Sequence, residues 1–438
     1  MTTVAAVDFG ATSVRVARVD LEARPIAVEV VHRHRHEAVA HPDGSLRWDW
    51  SRLVAEAERG LERALDGGPL ASIGVDTWGV DYGLLGRDGA LLSPPHSYRS
   101  SRTADGTSVL DRVGERHLYE LTGLQRQPFT TIFQLAAHDR AELAAATRLL
   151  LLPDLVVHHL TGACTAERTA AGTTGLVDLA TGDWSPELLE ACGVPAALLP
   201  ALSAPGTLAG TWRGVPVHLV GSHDTASAVA ALPPTDAAHR GFVATGTWLL
   251  VGREQAAPDT SPVRQAQNFT NEPGVDGGTR LLKNVAGFWL LEECRRAWGG
   301  PDVGALLAAA AAVTEPVDVF DATDPRFLAP RDMESEVREA AKLPADAARS
   351  RVVRAIVASL AATAASVVAD GLDGTDELTL LGGGAAVGLL RDELAERTGL
   401  PVTVGATEAA VIGNALVQGI ALGRFGDLAD ARAHLVAP

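Results

Sequence analysis

The chain has 438 residues, enough for two or three domains of roughly 100–200 residues each and far too many for a small disulfide-stapled scaffold. Asp and Glu outnumber Lys and Arg by 54 to 37, and the resulting charge of −17 opposes phosphate backbones and anionic lipid, so neither nucleic acid nor a membrane is an expected partner. The three cysteines, Cys164, Cys192 and Cys294, are scattered and odd in number, which predicts no disulfide framework and no metal or redox pair and fits a cytoplasmic protein.

No basic segment opens the chain, and the first apolar run, Val4–Val7, stops at Asp8, so a signal peptide is not expected. Val4–Val7 and Val14–Val19 are β-branched runs around Gly10-Ala11-Thr12-Ser13, which predicts a hairpin. His32, His34 and His36 alternate with arginines and would share one face of a strand. Metal binding and a solvated strand end are the two readings, and the arginines favour the second. Leu53–Leu65 and Leu188–Leu199 have helical spacing, while Ile73–Val75 and Val80–Leu85 around Asp76-Thr77-Trp78-Gly79 predict a second hairpin. A break at Pro233-Pro234 places a domain boundary near residue 235, giving domains 1–235 and 236–438.

Beyond it, Phe242–Ala244 and Trp248–Val251 predict a third hairpin around Thr245-Gly246-Thr247, followed by a helix from Val285 to Trp298. The weakly polar stretch Ala355–Ala369 is shorter than the ~20 apolar residues of a membrane span and reads as a buried helix within Arg351–Asp370. The strand Leu378–Leu381 then runs into Gly382-Gly383-Gly384. The expected architecture is two α/β halves, each opening on a hairpin, with a cleft between them.

The first hairpin, Asp8-Phe9-Gly10-Ala11-Thr12-Ser13-Val14-Arg15, sets a carboxylate at a strand end before small residues whose amides can converge on an anion. Only two lysines occur, Lys283 and Lys342, and neither follows a glycine, so a GxxxxGK[ST] loop is absent. Phosphates would then be held by backbone amides, arginine and metal, with Asp8 positioning Mg²⁺ through its waters and Arg15 offsetting phosphoryl charge. An ordinary hairpin uses the same residue types. Gly221-Ser222-His223-Asp224-Thr225 ends a strand and opens a small-residue helix, where Asp224 is either a cap or a base for a substrate hydroxyl. Gly382-Gly383-Gly384 is no dinucleotide fingerprint, since Val387 holds the third glycine position and no acid follows Val402–Val404; backbone contact with ADP is the better reading. Trp48, Trp78, Trp248 and Trp289 adjoin glycine or polar turn residues, where rings stack on sugars or pack in a core.

Taken together, VDFGATSVR, IGVDTWGVDY, YRSSRT, GSHDTASAV, TGTW, NFTNEPGVDGGTRLLKN, LGGG and ATEAAVIGNALVQGIALG resemble the FGGY carbohydrate kinase family nearly end to end. The DTWGVD and NFTNE…LLKN segments are most similar to its branch acting on L-rhamnulose. The resemblance implies a two-domain α/β fold, ribonuclease H-like and of the actin and hexokinase type, and ATP-dependent, Mg²⁺-assisted phosphorylation of a ketose at its C1 hydroxyl. It implies Asp224 as catalytic base, with Trp78, Gly79, His223, Thr225 and Asn284 at the sugar and Asp8 at the metal. Ala11, Thr12, Ser13, Val14, Arg15, Thr247, Glu292, Gly382, Gly383 and Gly384 would hold the nucleotide. The chain departs from the family pattern at Val14 for glycine, Ser100 for aspartate, Thr130 for asparagine and Glu292 for glutamine. It also departs at Ala385-Ala386-Val387 for Cys-Gln-Asn, and at Arg168, Ala170 and Gly175 for tyrosine, asparagine and glutamine. Rival readings are a kinase of L-fuculose, xylulose or another polyol, and an actin-like ATPase that is not a kinase. A homodimer is common for such folds.

Overall fold

The computed structural model describes residues 2–105, 108–328 and 330–437. The chain divides into two units: one runs to Pro234 and also takes in Gln255–Leu281 and the segment from Ala409 onward, and the other comprises Thr235–Glu254 and Leu282–Glu408.

The first unit is built on a six-stranded sheet whose order is Leu208–Trp212, Val215–His223, Ile73–Thr77, Thr3–Gly10, Ser13–Asp20 and Ala27–Arg35. Val4, Ala5, Ala6 and Val7 are all fully buried, the continuous apolar run of a strand covered on both faces. Thr3–Gly10 pairs antiparallel with Ser13–Asp20, Gly10 opposite Ser13, so Ala11-Thr12 forms a two-residue turn. On its other side it pairs parallel with Ile73–Thr77.

Helix Trp50–Asp66 covers one face. Asp49 caps it by accepting from Arg52 N (3.1 Å), and Leu53, Val54, Ala57, Gly60, Leu61 and Ala64 form its buried stripe. Helices Asp224–Ala230 and Ala409–Ala421 pack closely on each other: a Cβ on Gly413 would lie 1.7 Å from Ser227 O. Val411, Ala415 and Leu416 of the second helix close a core cluster with Val4, Ala6, Ala17, Val19 and Leu21.

The predicted second hairpin does not form. Ile73–Thr77 lies between two parallel neighbours, Thr3–Gly10 and Val215–His223, whereas Tyr82–Leu85 pairs with Arg148–Leu151 in a separate two-stranded sheet. Val80, in the left-handed region at φ 69°, turns the chain away between them. The helix read over Leu188–Leu199 is also shorter, Pro186–Cys192, because Gly193 ends it at φ 68° and a 3₁₀ turn, Ala196–Leu198, follows.

In the second unit, Arg240–Thr245 and Trp248–Gln255 form the predicted hairpin, and Arg240–Thr245, Glu377–Leu381 and Val402–Val404 run parallel. The helix expected from Val285 begins only at Trp289, because Val285 and Ala286 finish the strand Thr279–Ala286. Gly287 makes the break: a Cβ there would sit 2.5 Å from the Trp248 carbonyl carbon, and its N–H donates to Thr247 O (3.1 Å). Helix Arg349–Gly371 is the one helix among the described residues long and apolar enough to cross a membrane, and 72% of its apolar window is buried inside the protein.

Candidate active site

Parallel pairing of Thr3–Gly10 with Ile73–Thr77 sets Asp8 opposite Asp76, and both side chains are fully buried. Hairpin register sets Asp8 opposite Arg15, whose Nη2 lies 2.5 Å from Asp8 Oδ2. The metal-positioning aspartate and the phosphate-facing arginine of the sequence reading are thus ion-paired. Asn414 Nδ2 donates to Asp76 Oδ2 (2.6 Å), and Gln418 Nε2 in turn donates to Asn414 Oδ1 (2.7 Å) and to Ala5 O (3.0 Å). Asp76 Oδ1 is buried with no hydrogen-bond partner among the described residues. Burial first, then the charges of Asp8 and Asp224, push the Asp76 carboxyl well above the usual carboxylate range against the Asn414 hydrogen bond. Asp8, Asp76 and Asp224 therefore share one electrostatic neighbourhood.

That donor set fits a hydrated divalent cation. Two adjacent buried carboxyls, one with a bare oxygen, gain from positive charge. No group of three His, Cys, Asp or Glu side chains is placed to hold a metal directly among the described residues.

Val14 does not enter the turn. Its side chain is fully buried, opposite Phe9, so the loop offers only backbone there, while Ala11, Thr12 and Ser13 are half-buried. The departure from glycine at this position is absorbed by the core.

Strand Val215–His223 runs directly into helix Asp224–Ala230, with His223 in the cap position, so Asp224 is the first helical residue and not the cap. Its side chain is 28% exposed, and Oδ1 accepts from Thr225 Oγ1 (3.1 Å). His223 is buried between two acids: Nε2 stands 3.6 Å from Asp224 Oδ1 and Nδ1 stands 3.2 Å from Glu272 Oε2. Burial acts to raise the Glu272 carboxyl, but Arg280, 3.1 Å away and itself buried, together with His223 outweighs it and holds Glu272 below the usual range. Sequence reasoning did not single out Glu272 or Arg280; the signal was a pair of charges in strands that are otherwise buried.

Trp78 is buried. Its indole N–H donates to Asp81 Oδ2 (2.9 Å), as does that of Trp48 (2.7 Å), and the two ring centroids are 4.4 Å apart. Tyr98 N and Gln134 Nε2 also donate to Asp81, and burial, prevailing over these donors, pushes its carboxyl up to about 6. The Trp78 N–H is thus committed to Asp81, and its ring is buried beside Trp48. His36 sits 5.5 Å from both tryptophan centroids, with Nε2 3.0 Å from Gly10 O, and burial lowers its imidazole to about 4. The other two alternating histidines meet Glu56, His32 at 2.9 Å and His34 at 3.7 Å. Gly79 is packed against Thr173, whose Oγ1 would lie 2.9 Å from a Cβ at that position.

The second unit holds the remaining candidates. Thr247 O accepts from Gly287 N (3.1 Å) and Trp289 N (3.2 Å), locking the turn, and Thr245 Oγ1 donates to Leu381 O. Gly382 is at φ 81°, and a Cβ there would lie 2.5 Å from Thr245 O; one on Gly384 would lie 2.4 Å from Phe288 Cε2. A Cβ on Gly383 would meet nothing within 4 Å, and the residue is exposed, so the space beside its backbone is open to a ligand. Ala385 is buried and Val387 leads into helix Gly388–Thr398, so the Ala385-Ala386-Val387 departure continues the fold without closing the turn. Glu292, on helix Trp289–Ala297, pairs with Arg295 (2.5 Å), and Asn284 is half-buried in strand Thr279–Ala286. Trp248 and Trp289 are half-buried in the same unit.

Residues 3–232 match the model of the FGGY family of carbohydrate kinases, N-terminal domain, and residues 241–422 match that of its C-terminal domain. The chain is 36% identical over 450 residues to a rhamnulokinase of Bacteroides thetaiotaomicron, covering 98% of this chain and 92% of that protein. A rhamnulokinase of Pectobacterium carotovorum is also 36% identical, over 98% of this chain and 90% of its own length. Among solved structures, a ligand-bound xylulose kinase of Lactobacillus acidophilus superposes with a TM-score of 0.80 at 15% identity, covering 100% of this chain and 93% of that one. Plasmodium falciparum glycerol kinase with ADP gives 0.75 at 14% identity, covering 100% and 93%. At such identities these two likenesses establish the fold.

Proposed function

The chain belongs to the FGGY family of carbohydrate kinases, and from that premise we propose that it transfers the γ-phosphoryl group of ATP to the C1 hydroxyl of a ketose, L-rhamnulose, with Asp224 as general base. The two-domain fold is that of actin- and hexokinase-type ATPases, as the sequence predicted. The observation that carries the reading is the partly exposed Asp224 carboxylate at the head of its helix, in one neighbourhood with the buried Asp8 and Asp76.

In this mechanism His223, Thr225, Trp78, Gly79 and Asn284 orient the sugar. Asp224 accepts the hydroxyl proton as the alkoxide oxygen bonds to phosphorus and the bond to the ADP oxygen breaks. The amides of Ala11, Thr12 and Ser13, the open backbone at Gly383, and Thr247 hold phosphates; Gly382 and Gly384 shape that turn, and Arg15 and Glu292 stand by the nucleotide. Mg²⁺, held through water by Asp8 and Asp76, would neutralise charge on the β- and γ-phosphates. The three unbridged cysteines suit a reducing cytoplasm.

The departures at Ser100 and Thr130 face inward. Ser100 Oγ accepts from Leu46 N and Thr130 Oγ1 donates to Gln127 O, so both hydroxyls are engaged within the fold. The rhamnulokinase relatives therefore carry the choice of sugar. Coupled ADP release across L-rhamnulose, L-fuculose and xylulose tests it: L-rhamnulose should show the highest kcat/KM, and a tenfold preference for another sugar overturns the choice. Asp224→Asn should lower kcat by about 10²–10⁴-fold with KM for sugar and ATP little changed, and near-normal turnover removes Asp224 from the role.

A further inference from the structure

The two amides that precede Asp224 both donate to side chains from another segment. Pairing of Val215–His223 with Ile73–Thr77 slips between Leu219 and His223, where His223 again stands opposite Thr77. Ser222 N donates to Glu167 Oε2 (3.1 Å) and His223 N donates to Thr169 Oγ1 (3.2 Å).

Both acceptors are fully buried. Glu167 accepts from Thr169 N (2.9 Å) and Ala170 N (3.1 Å), the ordinary work of capping helix Arg168–Ala171. It also accepts from Thr169 Oγ1 (2.6 Å) and Ser222 N, which capping does not require. The Thr169 hydroxyl, its hydrogen committed to the carboxylate, presents a lone pair to His223 N. Glu167 is itself tied down, its N–H donating to Asp154 Oδ1 (3.2 Å), which also takes Thr165 Oγ1 (2.7 Å).

We propose that Glu167 and Thr169 are positioning residues: together they fix the backbone of Ser222-His223 and so the aim of Asp224, without touching the substrate. The proposal rests on Asp224 being the base. A displacement of about 1 Å in a catalytic group costs on the order of 10²-fold, so a loosened strand end appears in kcat before KM.

The test compares Glu167→Gln, Thr169→Val and Thr169→Ser with Asp224→Asn, by ADP release with L-rhamnulose and ATP and by amide hydrogen exchange at Ser222 and His223. Thr169→Val and Glu167→Gln should lower kcat by about 10–100-fold while both KM values stay within about threefold, and Thr169→Ser, which keeps the hydroxyl, should restore turnover. Exchange at the two amides should rise about tenfold or more in the first two variants, with Thr3–Gly10 protected as before. Wild-type kcat and unchanged exchange in Thr169→Val, or a Thr169→Ser as impaired as Thr169→Val, overturns the proposal. If Glu167→Gln does not fold, Thr169→Val carries the test. An inactive Asp224→Asn beside a normal Thr169→Val sinks the positioning role alone. An active Asp224→Asn sinks the base reading and the catalytic half of the proposal with it.

Discussion

Asp81 holds two tryptophans on one oxygen. Its Oδ2 takes both indole N–H groups and its Oδ1 takes Gln134 Nε2, so every contact it makes demands an acceptor. An amide offers an acceptor on one side only. Asp81→Asn must therefore leave at least one buried donor facing an NH₂ group, at a cost of about 1–3 kcal/mol. A lower urea midpoint, altered tryptophan fluorescence and a raised sugar KM are expected, and an unmoved midpoint contradicts the assignment. Trp78 and Gly79 stand out in the sequence because a tryptophan beside a turn glycine is a local pattern. Asp81 as the hub does not, since its partners come from Trp48 and Gln134, 33 and 53 residues away. Asp8 and Asp224 are legible for the same local reason, each sitting where an apolar run ends in small residues. Glu167 is not, because its meaning depends on Ser222, 55 residues on.

Between elements, close approach is decided by missing side chains. Helix Ala409–Ala421 reaches helix Asp224–Ala230 only because position 413 is glycine, and it carries the Asn414 that hydrogen-bonds Asp76. Gly413→Ala must separate the two helices, so a loss of about 1–3 kcal/mol or more in urea unfolding is expected together with reduced kcat. A variant with both unchanged refutes the tight contact. The hairpins at Gly10–Ser13 and Gly246-Thr247 were predictable from β-branched runs flanking small residues. The intervening one was misread because alternation along Ile73–Leu85 cannot say whether the next strand lies alongside or elsewhere. The Val285 helix was misread because an apolar run looks continuous until Gly287 meets a neighbouring backbone.

For the molecule as a whole, buried acids and buried imidazoles set opposing responses to pH: burial lowers His36 to about 4 and His96 to about 3, a contribution gained as pH rises, and it raises three carboxyls. Burial raises Asp81 and Asp154 from 3.8 to about 6 and Glu167 from 4.5 to about 7. At these three groups the folded state thus binds more protons than the unfolded one between those values, so their contribution is complete below about pH 4 and is lost as pH rises through 6 to 7. Growing negative charge on a chain already at −17 acts in the same direction. The Glu167 part of this response is isolated by comparing the urea midpoints of wild type and Glu167→Gln between pH 5.5 and 8. Glu167→Gln lacks one of the titrating groups, so the stability gap between it and wild type should narrow over that interval, and a constant gap contradicts the raised carboxyl.

Synthesis on the ribosome adds an order to these events. Val4, Ala6 and Val19 emerge early, yet the side chains that cover them, Val411, Ala415 and Leu416, are among the later ones to be translated. A nascent chain halted before Ala409 carries the proposed base but leaves an apolar sheet face uncovered. Its acid cluster also lacks the Asn414 amide. Loss of the segment from Ala409 onward thus removes in one stroke the cover of the sheet and the amide that meets Asp76.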